Sequence, residues 1–178
     1  SEMCIRDRAY ANGYSKKYTS SGWASYDSLF FRWAEREGYA VDLASQHELH
    51  FSPEILDGYD CVAFVGHDEY WTWEMRDAVD NYVDGGGRAA RFAGNFMWQT
   101  RLEDNGKRQT CYKYRARAED PVYRSADPRR TSGCWEATET GRPAAETLAS
   151  MRCAGFTSAG AVVPRAAYAA SRSIAQSI

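Results

Sequence analysis

The chemically versatile side chains of this sequence concentrate in the segment GHDEYW at residues 66–71. This segment carries an imidazole, two carboxyl groups and a phenol in a row, on His67, Asp68, Glu69 and Tyr70. Imidazole and carboxyl groups transfer protons in catalysis, and carboxylate and phenolate oxygens are hard ligands that suit a cation such as Fe³⁺. A structural turn would need only the glycine and a helix cap, so we expect the segment to have a functional role.

The motifs do not favour a covalent mechanism. Neither a G-x-S-x-G nor a G-x-C-x-G nucleophile elbow occurs in the sequence. Cys61 is expected inside a buried strand, where a thiol is inert, and Cys111 and Cys134 have no adjacent histidine. The five cysteines and three histidines lack the close spacing of a zinc site, and the odd number of cysteines argues against a disulfide framework.

Composition excludes some classes of partner. The 178 residues carry 22 basic and 24 acidic side chains, a net charge of −2, which argues against a nucleic-acid-binding surface. No apolar run reaches the roughly 18 residues of a membrane span, and no signal peptide is evident. We therefore expect neither nucleic-acid nor membrane partners. The cysteine pattern, which favours neither a disulfide framework nor a zinc ribbon, predicts a reducing, cytoplasmic setting. Aromatic residues reach 14%, which is the one unusual value.

The hydrophobic pattern predicts helices and strands that alternate. Helices are predicted at residues 27–37, 53–56 and 72–84, and strands at residues 39–43, 60–65 and 88–93, with residues 109–115 as a further alternating stretch. Such alternation predicts an α/β fold with an open parallel sheet and helices on both faces. Because a helix opens the array and residues 9–24 supply no strand, we expect the sheet to lack its first strand.

Ligands of an open parallel sheet bind beyond the carboxyl ends of its strands. Residues 45–48, residues 66–71 and the pair Gly94-Asn95 follow the three predicted strands, and Tyr26 precedes the first helix at the same edge. Purely structural roles for these residues also remain open. Asp68 and Glu69 can simply precede a helix N-terminus, where negative charge is stabilising. Tyr70 and Trp71 can pack on the same helix. His47 and His50 can be surface residues of a loop.

Four segments resemble the C-terminal domain of the large (beta) subunit of N,N-dimethylformamidase. They are YANGYSKKYTSSGWASYDSLFFRWAEREGY, LDGYDCVAFVGHDEYWTWEMRDAVDNYVDGGG, FAGNFMWQTRLED and CYKYRA, and the resemblance spans roughly residues 10–164. It implies a class I glutamine amidotransferase-like, flavodoxin-like three-layer fold, here incomplete. It also implies metal-dependent hydrolysis of the C–N bond of a small amide.

The resemblance further implies a mononuclear iron (Fe³⁺) held by two tyrosines and one glutamate. Tyr70 of GHDEYW is the closest match, and Tyr26 in SYDSLFF is the nearest upstream tyrosine. The glutamate comes from a segment of the form RP(x)E, which here ends at Glu146, with Glu136 as a rival. The metal would act as a Lewis acid.

Other residues at this edge are expected to assist the reaction. His67, Glu69 or Asn95 would orient a water molecule or donate to the developing oxyanion. A small-molecule amide is the expected substrate, with a small subunit and a second copy of the chain as candidate partners.

The same pattern leaves a non-catalytic alternative, in which an aromatic rim binds a carbohydrate or a partner protein. Trp71, Trp73 and Trp98 would supply the stacking surface. In either case we expect three parts: a non-native leader at residues 1–8, a partial domain at residues 9–164, and an aberrant or disordered tail at residues 165–178.

Overall fold

The computed structural model describes residues 13, 23, 27–94, 96–123, 125 and 127–147. The predicted leader at residues 1–8 and the predicted tail at residues 165–178 lie outside these residues.

Among the described residues, the three predicted helices are accompanied by two further α-helices and three further 3₁₀ turns. The α-helices are α1 (Ser28–Arg36), α2 (Gln46–Phe51), α3 (Trp73–Asp84) and α4 (Ala116–Glu119), and single 3₁₀ turns span Pro53–Leu56, Lys113–Arg115, Pro128–Arg130 and Ala144–Glu146. Helix α3 begins after Thr72, whose hydroxyl oxygen accepts a hydrogen bond from the backbone N–H of Met75. The helices predicted at residues 27–37, 53–56 and 72–84 are confirmed. Among the described residues, none of these helices combines the length and the hydropathy needed to cross a membrane.

Seven short strands form three small sheets in the described ranges. They are β1 (Cys61–His67), β2 (Tyr70–Trp71), β3 (Arg88–Gly94), β4 (Trp98–Gln99), β5 (Arg101–Glu103), β6 (Arg108–Thr110) and β7 (Gly133–Cys134). Strands β1 and β3 are parallel, and their last residues, His67 and Gly94, are register partners. Strand β4 pairs with β2 in parallel and with β7 antiparallel, and β5 and β6 form an antiparallel pair.

The architecture is therefore mixed α/β, with a parallel pair at β1 and β3 as predicted, but with small separate sheets. The strand predicted at residues 39–43 is wrong, because these residues join no ladder. Tyr39 and Leu43 are largely exposed there, so the alternating side chains have no core to face. Of residues 109–115, only the beginning belongs to a strand, and Lys113–Arg115 is a 3₁₀ turn.

The parallel pair has α1 and α3 on opposite faces. Val62 and Phe64 of β1 pack against a core cluster that contains Met75 of α3. On β3, Phe92 is the register partner of Val65, so alternation places it on the other face. The Phe92 ring lies 5.5 Å from the ring of Phe30 in α1. The expectation of helices on both faces is met for these two helices.

Two cysteines differ from expectation. Cys61 is the exposed first residue of β1, so its predicted place within a buried strand is wrong. Partial burial still raises the pKa of the Cys61 thiol. Cys134 is disulfide-bonded, which the odd number of cysteines did not indicate.

Candidate functional site

The carboxyl ends of the parallel strands meet where GHDEYW begins. The backbone N–H of Asp68 donates to the carbonyl oxygen of Gly94 at 3.4 Å, and the N–H of Trp98 donates to that of Glu69 at 3.0 Å. The segment after β1 is thereby held against the segment after β3. The predicted meeting of the residues that follow β1 with those that follow β3 is therefore confirmed.

Asp68 has a structural part in this arrangement. Its carboxylate is buried and accepts hydrogen bonds from Gln46 Nε2 at 2.6 Å, Trp71 Nε1 at 2.8 Å and Arg91 Nη1 at 3.0 Å. Burial raises the pKa of Asp68, and the Arg91 guanidinium opposes that rise. Since its oxygens are engaged by donors on three different elements, Asp68 organises the edge and is a poor candidate for proton transfer.

Glu69 and His67 form the pair best placed for acid–base chemistry. The Trp98 indole Nε1–H donates to Glu69 Oε1 at 2.7 Å. Glu69 Oε2 lies 3.6 Å from His67 Nε2. The carboxylate side chain is 15% exposed and the imidazole side chain 43% exposed. One carboxylate oxygen is therefore fixed by an indole, while the other faces an imidazole that solvent can reach.

Tyr70 lies next to this pair. It belongs to β2, opposite Trp98 of β4. The Lys113 Nζ lies 5.0 Å from the centre of the Tyr70 ring. The sequence placed Lys113 in the segment CYKYRA without a role, because residue spacing does not show that this turn folds back onto β2.

Of the two other histidines, only His47 was expected at this edge. His47 and His50 were predicted in a loop, but both lie on α2, which begins with a capping box between Ser45 and Glu48. His50 Nδ1 lies 2.7 Å from Thr72 Oγ1 at the start of α3, so His50 joins two helices. The neighbouring Gln46 is the residue of α2 that reaches Asp68.

The two candidate glutamates lie on the α3 side of the core. Glu136 Oε1 accepts a hydrogen bond from the backbone N–H of Ala144 at 2.8 Å. Glu146 is exposed on a 3₁₀ turn and interacts through its charge with Arg76 of α3. The carboxylate of Glu136 is thus engaged in the fold, whereas that of Glu146 faces solvent.

Two of the predicted site residues, Tyr26 and Asn95, lie outside the described residues. Among the residues that are described, no three side chains from His, Cys, Asp and Glu come together as a metal cluster. A phenol is not one of those four types, so this finding does not bear on a site that includes Tyr70. The exposed carboxylate of Glu146 and the phenol of Tyr70 are both oxygen donors of the kind that a hard cation prefers. Their described neighbours differ, since Tyr70 lies near Lys113 and Glu146 interacts with the charge of Arg76 on α3.

The remaining described cysteine near the site does not provide a nucleophile. Cys111 Sγ donates to the carbonyl oxygen of Gln99 at 3.6 Å, and burial raises the pKa of Cys111 to about 11. A thiol with this pKa is protonated at neutral pH. The expectation against a thiol mechanism agrees with this environment.

The tryptophans that would bind a carbohydrate or a partner protein in the non-catalytic alternative are largely buried. Trp71 and Trp98 are 0% and 2% exposed, so their rings are not available to a sugar face. Trp73 is covered by two guanidinium groups, with Arg142 Cζ at 4.9 Å and Arg129 Cζ at 5.7 Å from its ring centre. The excess of aromatic residues therefore builds the core in this region.

Comparison with known proteins identifies the same family that the sequence motifs resemble. The family model described as N,N-dimethylformamidase beta subunit-like, C-terminal, matches residues 3–175. The beta subunit of N,N-dimethylformamidase from Alcaligenes sp is 36% identical over 67 residues, and that from Paracoccus aminophilus is 34% identical over 67 residues. Each match covers 37% of this chain and 9% of the relative, so the chain corresponds to a small part of these proteins.

Proposed function

Because the chain belongs to the N,N-dimethylformamidase beta subunit-like C-terminal family, we propose that it takes part in hydrolysis of the C–N bond of a small amide. The observation that carries this proposal is the grouping of His67, Glu69 and Tyr70 where the two parallel strands end. By analogy with the named relatives, N,N-dimethylformamide is the first substrate to test.

Glu69 is the proposed general base. Its Oε1 is held by the Trp98 indole, which leaves Oε2 to accept a proton from a water molecule. His67, next to that oxygen, would help to orient the water. Asn95, which follows β3 in the sequence, is proposed as a donor to the developing oxyanion.

We further propose that Tyr70, Tyr26 and Glu146 hold a mononuclear iron. A bound Fe³⁺ supplies Lewis-acid chemistry by polarising the amide carbonyl or lowering the pKa of a bound water. Glu146 is preferred over Glu136 because the Glu136 carboxylate already accepts a backbone hydrogen bond from Ala144. The exposed Glu146 carboxylate can turn to a metal without breaking such a bond.

Metal analysis of the purified chain tests this proposal. We expect Tyr70→Phe to lose iron, measured by elemental analysis and by the visible tyrosinate-to-iron absorption band. Tyr114→Phe is the matched control, since the Tyr114 ring lies 4.6 Å from Trp98 at the same edge and is 62% exposed. Stoichiometric iron in Tyr70→Phe would overturn the assignment.

The choice between the two glutamates needs its own pair of variants. Glu146→Gln removes a charged oxygen donor from the exposed turn and is expected to reduce iron content strongly. Glu136→Gln keeps an oxygen that can accept from the Ala144 N–H, so it should retain iron. The reverse order of iron contents would assign the metal to Glu136.

The fold of the domain and its association with other chains are two further proposals. The mixed α/β arrangement with a parallel pair is compatible with a class I glutamine amidotransferase-like fold, which we propose for the family domain. The relatives are named as beta subunits, and we propose that the chain associates with a second, smaller subunit and with a copy of itself. Sedimentation of the chain with and without such a subunit tests the association.

A further inference from the structure

Lys113 brings a positive charge to the same edge as Tyr70. Its Nζ lies 5.0 Å from the centre of the Tyr70 ring and 5.8 Å from the centre of the Trp98 ring. An ammonium at such distances is attracted to the faces of both rings. The two aromatic side chains therefore hold the end of a long flexible side chain in one region.

The backbone of Lys113 is held in a conformation that lysine rarely adopts. Its φ is 53°, in the left-handed region, and it begins the 3₁₀ turn Lys113–Arg115. The preceding residue is fixed, since the N–H of Tyr112 donates to Ser132 Oγ at 3.1 Å. Non-glycine residues keep such strain only where the surroundings impose it, and these positions cluster at functional sites.

A negative charge faces the same region. Burial is the main cause of the raised pKa of the Cys111 thiol, while Lys113 lowers this pKa and Glu69 raises it, so both charges act on this half-buried side chain. Glu69 is itself fixed by the Trp98 indole, whose ring also lies near the ammonium. A carboxylate and an ammonium are thus arranged around one tryptophan.

We propose that Lys113 is a further catalytic residue, which donates a hydrogen bond to the carbonyl oxygen of the amide substrate and stabilises the charge that develops there. This inference rests on the proposed function. Water adds to the carbonyl carbon, its proton passes to Glu69, and the carbonyl π electrons move to the oxygen facing Lys113. The adduct then collapses, the C–N bond breaks, and the amine leaves with the proton from Glu69, leaving a carboxylic acid.

Formate is a suitable probe, because its charged oxygens resemble the developing oxyanion. It would be titrated into the full chain, freed of metal by a chelator, while the NMR signal of the Trp98 indole N–H is followed. We expect saturable binding that weakens at least tenfold in Lys113→Asn and is retained in Lys113→Arg. Asparagine tolerates a positive φ, so this variant should keep the fold and the melting temperature.

Lys107→Asn is the matched control, because it removes the same charge from an exposed position. Equal formate affinity in the wild type and Lys113→Asn, or no binding in the wild type, would overturn the role of Lys113. In the metal-loaded chain, Lys113→Asn should lower kcat for amide hydrolysis about 100-fold with unchanged iron content.

The two proposals can fail separately. A wild-type chain that neither binds iron nor hydrolyses the amide overturns the proposed function, while the formate titration still decides whether Lys113 binds a carboxylate. An active, iron-loaded wild type with an equally active Lys113→Asn overturns the Lys113 inference alone.

Discussion

The Arg91 guanidinium on β3 lies 3.0 Å from the Asp68 carboxylate in the segment that follows β1, and both side chains are only 10% exposed. Arg91 Nη2 also donates to the carbonyl oxygen of Gly94 at 3.1 Å. This ion pair therefore joins β3 to the segment that follows β1, in which Asp68 lies between His67 and Glu69. Burial raises the pKa of Asp68 and lowers the pKa of Arg91, so each charge depends on the other.

Removal of Arg91 should be costly for this reason. We expect Arg91→Leu to lower the free energy of unfolding by about 3 kcal/mol, because it leaves a buried carboxylate without its cation. Urea denaturation measures the change. Arg108→Leu is the control: Arg108 pairs with Glu103 but its side chain is 61% exposed, so its loss should cost less than about 1 kcal/mol. Equal costs would contradict the importance of burial.

A second prediction concerns Gly133, which packs against the turn that carries Lys113. Its φ is +145°, and an added Cβ would lie 2.9 Å from the Cβ of Ala116. Gly133→Ala should therefore destabilise the chain by about 2 kcal/mol. Gly94→Ala is the matched control, since an added Cβ there meets no atom within 4 Å. Thermal denaturation that fails to separate the two variants would argue against this packing.

Arg76 on α3 offers a third prediction. It is fully buried, donates to the carbonyl oxygens of Arg142 at 2.7 Å and Pro143 at 3.0 Å, and lies 4.4 Å from the ring centre of Trp135. Burial lowers the pKa of Arg76 to about 10. Arg76→Met should cost about 3 kcal/mol, because it leaves those carbonyl groups unsatisfied.

The loss of Arg76 should also have a local signature. Amide hydrogen exchange at residues 142–147 is expected to rise more than exchange in the hairpin of β5 and β6. Arg117→Met, at an exposed position, should leave both regions unchanged. If exchange at residues 142–147 did not respond to Arg76→Met, the guanidinium would not be what holds this segment.

The fourth prediction is a pH dependence centred on His50. Burial lowers the pKa of His50 below 6.5, and the nearby Glu74 only partly opposes this. The unfolded chain then binds the proton more readily than the folded chain, so stability is full above the unfolded pKa and falls as the pH drops through the folded value.

Unfolding free energies measured by denaturant titration between about pH 5 and 8 test this sign. The decrease toward acid pH should be smaller in His50→Gln, which cannot titrate. His47→Gln is the control: His47 is exposed and its charge has only the smallest of the effects on the pKa of His50, so most of the decrease should remain. A slope that persists unchanged in His50→Gln would assign the effect to another group.

The sequence by itself determined those helices and strands that are encoded by residues close together in the chain. The periodicity of residues 72–84 with the Thr72 cap predicted α3, and the apolar runs at 60–65 and 88–93 predicted the parallel pair. The position of GHDEYW after a strand then placed His67, Glu69 and Tyr70 at one edge. These inferences succeed because hydrogen bonding within a helix and side-chain alternation in a strand depend on near neighbours in the chain.

Only the tertiary structure decided which groups meet across the chain. It showed that residues 39–43 have no strand partner, and that Asp68 is a buried anchor whereas Glu69 faces His67. It also brought Lys113 onto Tyr70, 43 positions away, through a positive φ that lysine does not signal. Pairing, burial and long-range charge depend on how separate elements pack, and residue spacing alone does not encode that packing.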